Sequence, residues 1–509
     1  MAIFPREALE QDKPACIDAD GGETLRFRDL DSRANQGARL LRSLGLRPGD
    51  VLALLLHNCF EVFEIAWAAQ RIGLYLTSIS SKLSATDVRY ILEDSSAKVL
   101  VASPPCATLA AEATRNLPLQ AFLTHAVTGA FGDWAQARSA FSCESIADPV
   151  AGADMLYSSG TTGRPKGVKP PLPDAPADAV TPLMRMGQTL YGMGSDCVYL
   201  STSPLYHAAP LRWAMTIHRL GGTVVFNERF DAQTTLLLLR KYNITHATFV
   251  PTHFIRLLKL PADTRAASDH SSLRAVIHAA APCPVPVKRA MIDWWGPIIH
   301  EYYSGTETCG ITALSADEWL KKPGSVGRAV LGKIRIADDE GILLPVKAVG
   351  NVYFADGPTF EYHNDPEKTR SAYNKHGWAT MGDIGHVDAD GYLFLTDRKH
   401  FMIISGGVNI YPQEIENLIV THPRVLDVAV FGVPDEEMGE KVVAVVQPAR
   451  WEDRSEDLVD ELRTYVRNAL GSVKCPKQFD FREALPREPT GKLMKRVLQE
   501  EYRLANPRG

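Results

Sequence analysis

The stretch Tyr157-Ser158-Ser159-Gly160-Thr161-Thr162-Gly163-Arg164-Pro165-Lys166-Gly167-Val168 decides how this chain is read. It crowds small and hydroxyl-bearing residues together and then places Lys166. Small residues let a backbone approach a phosphate closely. Free N–H groups and hydroxyls donate to the phosphate oxygens, and a lysine supplies the countercharge. The spacing is not that of a Walker loop, in which a longer run separates the first glycine from a Gly-Lys-Ser/Thr. Here Lys166 follows Arg164-Pro165 and precedes Gly167. Its small residues alone suit a phosphate cradle and a polar surface turn equally.

Around this stretch, apolar runs rich in Val, Ile and Leu alternate with helical patterns. Residues 51–56, 98–102, 223–226, 245–250, 275–278 and 298–302 read as strands. Residues 59–71, 231–242 and 252–260 read as helices, the second capped by Asp231 and the third entered after Pro251. Alternation of this length predicts an α/β fold with parallel-rich sheets layered with helices. In such sheets ligands sit beyond the carboxyl ends of the strands. Segment 169–182, with Pro170, Pro171, Pro173, Pro176 and Pro182, cannot be regular structure and reads as an extended surface loop.

At 509 residues the chain exceeds one ordinary hydrophobic core. Composition shifts near Asp397, and the remainder of the chain is short enough for one small α+β domain. The expected organisation is a large domain at 1–396, a hinge at 397–400 and a small mobile domain at 401–509. In the small domain 412–420, 456–470 and 492–503 read as helices, and 425–433, 441–447 and 478–482 as strands. Hydrophobic residues make up 45% and charged residues 23%, ordinary globular usage. A net charge of −5 without a basic block leaves no electrostatic footprint for nucleic acid or an anionic membrane. The 8 cysteines are scattered, with no Cys-x-x-Cys pair and no zinc spacing, which predicts reduced thiols in a cytoplasmic protein. No signal peptide is expected, because the first residues show no basic region followed by an apolar run, and no transmembrane segment is expected, because the most apolar run, 51–69, is broken by His57, Asn58, Glu61 and Glu64.

Further strings carry chemistry. Glu301-Tyr302-Tyr303-Ser304-Gly305-Thr306-Glu307-Thr308 offers an aromatic face for a base in Tyr303, a hydroxyl for a phosphate in Thr306 and a carboxylate for Mg²⁺ in Glu307. Thr380-Met381-Gly382-Asp383 presents a carboxylate that can accept from the adjacent hydroxyls of a ribose. His207, in Pro204-Leu205-Tyr206-His207, sits in an apolar setting where a histidine is ordinarily a core residue. Lys492, in Pro489-Thr490-Gly491-Lys492, ordinarily reads as a solvated surface lysine.

Taken together and in this order, the strings resemble the adenylate-forming superfamily: acyl-CoA synthetases, 4-coumarate–CoA ligase-like enzymes, adenylation domains and luciferases. The wording is most similar to fatty-acyl-CoA synthetase-like members. The resemblance implies that Ser158, Ser159, Gly160, Thr161, Thr162, Gly163 and Lys166 hold the β- and γ-phosphates of ATP. It implies that the Glu301, Tyr302, Tyr303 and Thr306 string binds the nucleotide, with Glu307 on Mg²⁺. Asp383 and Arg398 would hold the ribose, and Ala279, Ala280 and Ala281 would pass beneath the adenine and the acyl group. His207 would lie where the acyl carboxylate meets the α-phosphate, and Lys492 would be the catalytic lysine carried in by the small domain. Trp213 and His253 join His207, Ala279 and Ala280 in the implied acyl pocket, whose wall is mostly apolar or small. Ser405, Gly406 and Gly407 resemble the turn that lines the coenzyme A tunnel, and the hinge position is occupied by His400. The implied reaction uses ATP, Mg²⁺ and coenzyme A to convert a hydrophobic carboxylic acid into its thioester. Loading of a carrier protein and luciferase-like oxidation are the alternatives on this fold, and a homodimer is left open.

Overall fold

The computed structural model describes residues 3–129, 131–158, 165–487 and 493–505. Two sheets with parallel cores build the large part of the chain. The first sets Gly132–Asp133, Gln120–Leu123, Val99–Ala102, Val51–Leu55, Tyr75–Ser78 and Ala153–Asp154 side by side, every pair parallel. Val51–Leu55 and Val99–Ala102 are buried along their whole length, as strands covered on both faces must be. The second sheet runs Arg328–Leu331, Ile311–Leu314, Ile299–Tyr303, Ala275–His278, His246–Phe249, Val198–Ser201, Thr223–Phe226, Pro14–Asp18 and Thr24–Arg26. Its central pairs are parallel and its outer pairs antiparallel. The helix Ala232–Lys241 starts where Asp231 Oδ1 accepts from the Thr234 amide at 2.7 Å.

Antiparallel sheets complete the large part. Glu361–Tyr362, Lys166–Lys169 and Leu156–Ser158 form a three-stranded sheet, and Lys333–Ala337, Gly350–Ala355, Ala379–Val387 and Leu393–Arg398 a four-stranded one. The C-terminal part folds around the long hairpin Val425–Asp435 and Gly439–Pro448, with Gln478–Phe481 parallel to its second strand. Helices Pro412–Ile419, Glu456–Leu470 and Lys495–Ala505 pack beside it. In Glu456–Leu470 the buried residues Leu458, Val459, Leu462 and Val466 fall on one helical face. The last helix begins later than expected, at Lys495. The two parts share a buried cluster in which Phe254, Leu257 and Ile255 stand with Ile403, Ile415 and Val425. Lys259 Nζ donates across it to the Val425 carbonyl.

Segment 169–182 is irregular but does not lie free on the surface. Arg219 donates from its guanidinium to the Ala177 carbonyl at 2.7 Å and the Ala179 carbonyl at 2.9 Å, and Tyr75 Oη donates to the Pro170 carbonyl at 2.8 Å. Prolines carry no N–H to satisfy, so carbonyls are what such a segment offers, and a half-buried arginine is suited to collect them. The strap ends at Thr181, whose side chain caps the helix Pro182–Tyr191.

Candidate active site

The carboxyl ends of the parallel strands open into a cavity of about 1610 Å³. Pockets for one small ligand are typically about 300–1,000 Å³, so this one has room for several substrate groups. Ser158 and Lys166 line it from one side, and Tyr302, Tyr303, Thr306 and Glu307 from another. Asp383 and Arg398 also face it, as do His207, Trp213, His253, Ala279 and Ala280. Ser159, Gly160, Thr161, Thr162, Gly163 and Lys492 lie outside the described residues, as does the side chain of His400. Arg487 and Met494, on either side of the Lys492 segment, line the cavity.

Strand pairing builds the first polar group. Asp383 and Arg398 are directly opposed on the antiparallel strands Ala379–Val387 and Leu393–Arg398, and opposed residues face one another across a sheet. Arg398 Nε lies 3.2 Å from Asp383 Oδ1, and Tyr303 Oη donates to Asp383 Oδ2 at 2.5 Å. Burial first, then the Asp383 carboxylate, holds the Tyr303 phenol well above its ordinary value, so it stays a donor. A carboxylate has about four lone-pair sites, so Asp383 can still accept from two hydroxyls.

A second group sits where the three-stranded antiparallel sheet meets the Thr306-Glu307 turn. Lys166 pairs with Ser158 across the hairpin, and the neighbouring strand brings Tyr362 beside Val168. Tyr362 Oη donates to Glu307 Oε1 at 2.8 Å, and Lys166 Nζ stands 6.0 Å from the Tyr362 ring centre. Burial and then Lys368 lower the Lys166 pKa. Gly305 packs closely here: a Cβ there would meet Glu307 Oε2 at 2.5 Å and Met381 Sδ at 2.6 Å, so it would displace those side chains. Among the described residues no group of three or more His, Cys, Asp or Glu side chains could enclose a metal ion. A lone carboxylate beside a phosphate site is nevertheless the way Mg²⁺ is commonly held, with substrate oxygens completing its shell. Glu307 fits that pattern.

On the acyl side, His207 starts the helix Ala208–Arg219 and its ring lies 4.6 Å from that of Tyr206. His253 stacks on Phe230 at 3.8 Å, and burial lowers its pKa to about 3, leaving a neutral ring. Trp213 packs against Tyr302 with ring centres 6.2 Å apart. Ala280 holds φ at +74°, a backbone region costly for a residue with a Cβ and common at functional turns.

Some of the expected site residues lie off the cavity wall in this structure. Glu301 does not line the cavity; its carboxylate points into the core, 2.6 Å from Lys288 Nζ and 3.3 Å from His278 Nε2. Its partners explain this: His278 stands directly opposite on the neighbouring parallel strand, and Lys288 reaches it from the helix Val285–Trp295. Ala281 also lies off the wall. Ser405, Gly406 and Gly407 form a tight turn away from the cavity, with φ at +55° and +77° for the glycines and the Gly406 amide donating to Met438 O at 2.8 Å. Asp154 and Arg212 were missed. They face the cavity as an ion pair at 2.8 Å, so the wall is less apolar than the sequence suggested. Their signal was a charged residue within an otherwise apolar run, Met155-Leu156 after Asp154 and Leu211-Trp213 around Arg212.

The family model described as AMP-binding enzyme matches residues 5–360, and that of the AMP-binding enzyme C-terminal domain matches residues 414–492. The chain belongs to the AMP-binding enzyme family of adenylate-forming proteins. It is 32% identical over 501 residues to the long-chain-fatty-acid–CoA ligase FadD13 of Mycobacterium tuberculosis, covering 95% of this chain and 94% of that protein. It is 30% identical to 4-coumarate–CoA ligase 3 of Oryza sativa subsp. japonica, covering 97% and 90%. The crystal structure of ATP-bound MatB from Rhodopseudomonas palustris superposes with a TM-score of 0.82 at 28% identity, covering 96% of each chain. Among the described residues no helix is long and apolar enough to cross a membrane.

Proposed function

We propose that this chain is an ATP-dependent acyl-CoA ligase for a hydrophobic carboxylic acid. The observation that carries the reading is one continuous cavity. It joins the Tyr303–Asp383–Arg398 group to Glu307 and Lys166, and to an apolar arm walled by Trp213, Phe230 and His253.

In the first step a carboxylate oxygen attacks the α-phosphorus of ATP. The bond to the β-phosphate oxygen breaks, and its electron pair leaves with pyrophosphate. Asp383 and Arg398 hold the ribose, and Tyr303 presents its ring to the adenine. Thr306 donates to the α-phosphate, while Lys166 and the loop beginning at Ser158 hold the departing phosphates. Glu307 would hold Mg²⁺, whose charge, when bound, offsets that of the phosphates. Lys492 meets the crowded α-phosphate with a positive charge where negative charge moves. The cavity-lining flanks Arg487 and Met494 support that placement. In the second step the coenzyme A sulfur attacks the acyl carbon, the bond to the phosphate oxygen breaks, AMP leaves and the thiol proton passes to solvent.

The small domain at 401–509 would rotate against the domain at 1–396, about a hinge at 397–400, between the steps. Ser405, Gly406 and Gly407, now away from the cavity, would be carried toward the tunnel as the Lys492 segment withdraws. Free cysteines and the use of ATP and coenzyme A support a cytoplasmic setting.

A pyrophosphate-release screen over aliphatic, aryl and steroid-like acids, with and without coenzyme A, tests the reading. Acid-dependent pyrophosphate release and coenzyme A-dependent thioester are expected. Transfer to a carrier protein but not to coenzyme A would overturn the acceptor. No release with any acid would overturn the adenylation step.

A further inference from the structure

Arg212 belongs to none of the strings that define the nucleotide or acyl sites, yet it touches the elements that carry them. It lies in the helix Ala208–Arg219, which His207 starts. Its Nε donates to Asp154 Oδ2 at 2.8 Å, its Nη1 donates to Thr308 Oγ1 at 3.0 Å, and its Nη2 reaches the Thr306 carbonyl at 3.4 Å. Asp154 closes the strand that leads into Leu156–Ser158 and so into the phosphate-loop segment. Thr306 and Thr308 are the residues on either side of Glu307.

One planar guanidinium therefore ties the phosphate-loop strand, the His207 helix and the Glu307 turn together. The turn needs an external hold. Thr308 sits at φ +51°, a region that a residue with a Cβ adopts at a cost and keeps only where its surroundings over-determine it. Arginine suits the task because its donors are fixed in a rigid fork, which a lysine ammonium lacks. The pair is shielded but not sealed, with side-chain exposures of 26% for Arg212 and 21% for Asp154.

We propose that Arg212, oriented by Asp154, is a positioning residue that sets the direction of the Glu307 carboxylate toward Mg²⁺ and the ATP phosphates. The inference rests on the reading of Glu307 as the carboxylate that holds Mg²⁺. Arg212 acts through the turn and does not itself meet the reacting atoms.

The test uses Arg212→Gln, Arg212→Lys and Asp154→Asn in the full chain. Calorimetry measures the affinity of α,β-methylene ATP with and without Mg²⁺. Wild type should bind more tightly with Mg²⁺. In Arg212→Gln that increment should vanish while metal-free affinity stays near wild type, which also shows that the nucleotide site is folded. Pyrophosphate formation should then fall by about 10²-fold, the order expected for a misplacement of about 1 Å. Conversion of supplied acyl-AMP to thioester should change little. Arg212→Lys should restore the Mg²⁺ increment only in part, and Asp154→Asn should fall between that variant and wild type. An unchanged Mg²⁺ increment in Arg212→Gln overturns the proposal, as does equal loss of both half-reactions. Wild type that binds nucleotide but activates no acid would instead sink the ligase reading, and this inference with it.

Discussion

Replacing Lys288 by methionine isolates the buried charges beneath the nucleotide strand. Lys288 is fully buried, with its Nζ 2.6 Å from Glu301 Oε2 and 5.0 Å from the Trp319 ring centre. Methionine keeps most of the volume and removes the charge. Among the described residues, Glu301 is then left as a buried carboxylate with His278 as its remaining ionisable partner. Breaking a buried ion pair from one side costs about 3–5 kcal/mol, most of it the penalty of the stranded charge. In the native protein, burial alone would push the Glu301 carboxyl up. His278 and Lys288 overcome it and hold the pKa at about 2, against an ordinary value of 4.5. A depressed carboxylate contributes stability above its unfolded pKa and loses it as pH falls through the folded one. Without Lys288 the balance reverses: the folded variant takes up a proton, on Glu301 or on His278, that wild type does not hold. Its deficit should therefore be largest near pH 8 and shrink as pH falls toward 6. Urea unfolding followed by tryptophan fluorescence at both pH values measures this. The double variant Lys288→Met/Glu301→Gln should recover most of the loss, because replacing both charges of a buried pair is often neutral. A single-variant cost below about 1 kcal/mol at pH 8, or one independent of pH, would refute the account.

Lys492→Ala should abolish pyrophosphate release while leaving thioester formation from supplied acyl-AMP largely intact; equal loss of both steps removes the role assigned to that lysine. Asp383→Asn should weaken AMP binding by about 10–100-fold by calorimetry, since hydrogen bonds to a charged group are worth about 1.5–3 kcal/mol. Unchanged affinity would count against the ribose contact. His253→Ala should shift preference toward longer or bulkier acids, by up to about 0.8 kcal/mol in kcat/KM for each further methylene buried. An unaltered acid profile would place the acyl group elsewhere.

The strand–helix alternation was legible because buried parallel strands must be apolar on both faces. Val51–Leu55, Thr223–Phe226 and Ala275–His278 stand where the apolar runs predicted them. The antiparallel strands Lys333–Ala337, Gly350–Ala355 and Ala379–Val387 were not legible. They carry runs of partly exposed residues with no clean apolar period, and their pairing depends on register rather than on composition. That pairing is nevertheless what sets Asp383 opposite Arg398. The motif residues Tyr303, Thr306, Glu307 and Asp383 line the cavity, and they stood out in the sequence because small, hydroxyl and acidic types cluster there. Arg212, Asp154, Tyr362 and Lys288 were not, because each acts through a partner distant in sequence. Glu301 was misplaced for a related reason: its carboxylate is held by Lys288 and His278 in the core, partners that the motif string does not contain.

These misses share a physical pattern. The residues proposed to meet substrate lie at strand ends and turns, next to the left-handed positions Ala280 and Thr308. Such turns hold a defined shape only if something behind them is rigid. Here the rigidity comes from charge held out of water. Lys288, Glu301 and His278 brace the ends of two adjacent parallel strands, from which Ala279 and Tyr302 continue into the cavity. Asp154 and Arg212 brace the Glu307 turn against the phosphate-loop strand. Buried pairs of this kind add little net stability, so stability alone does not account for their place at these ends. Their effect is geometric. They fix the backbone beside the cavity, and a chain that must bind ATP, release pyrophosphate and admit a thiol in one cavity needs walls that keep their shape while its substrates come and go.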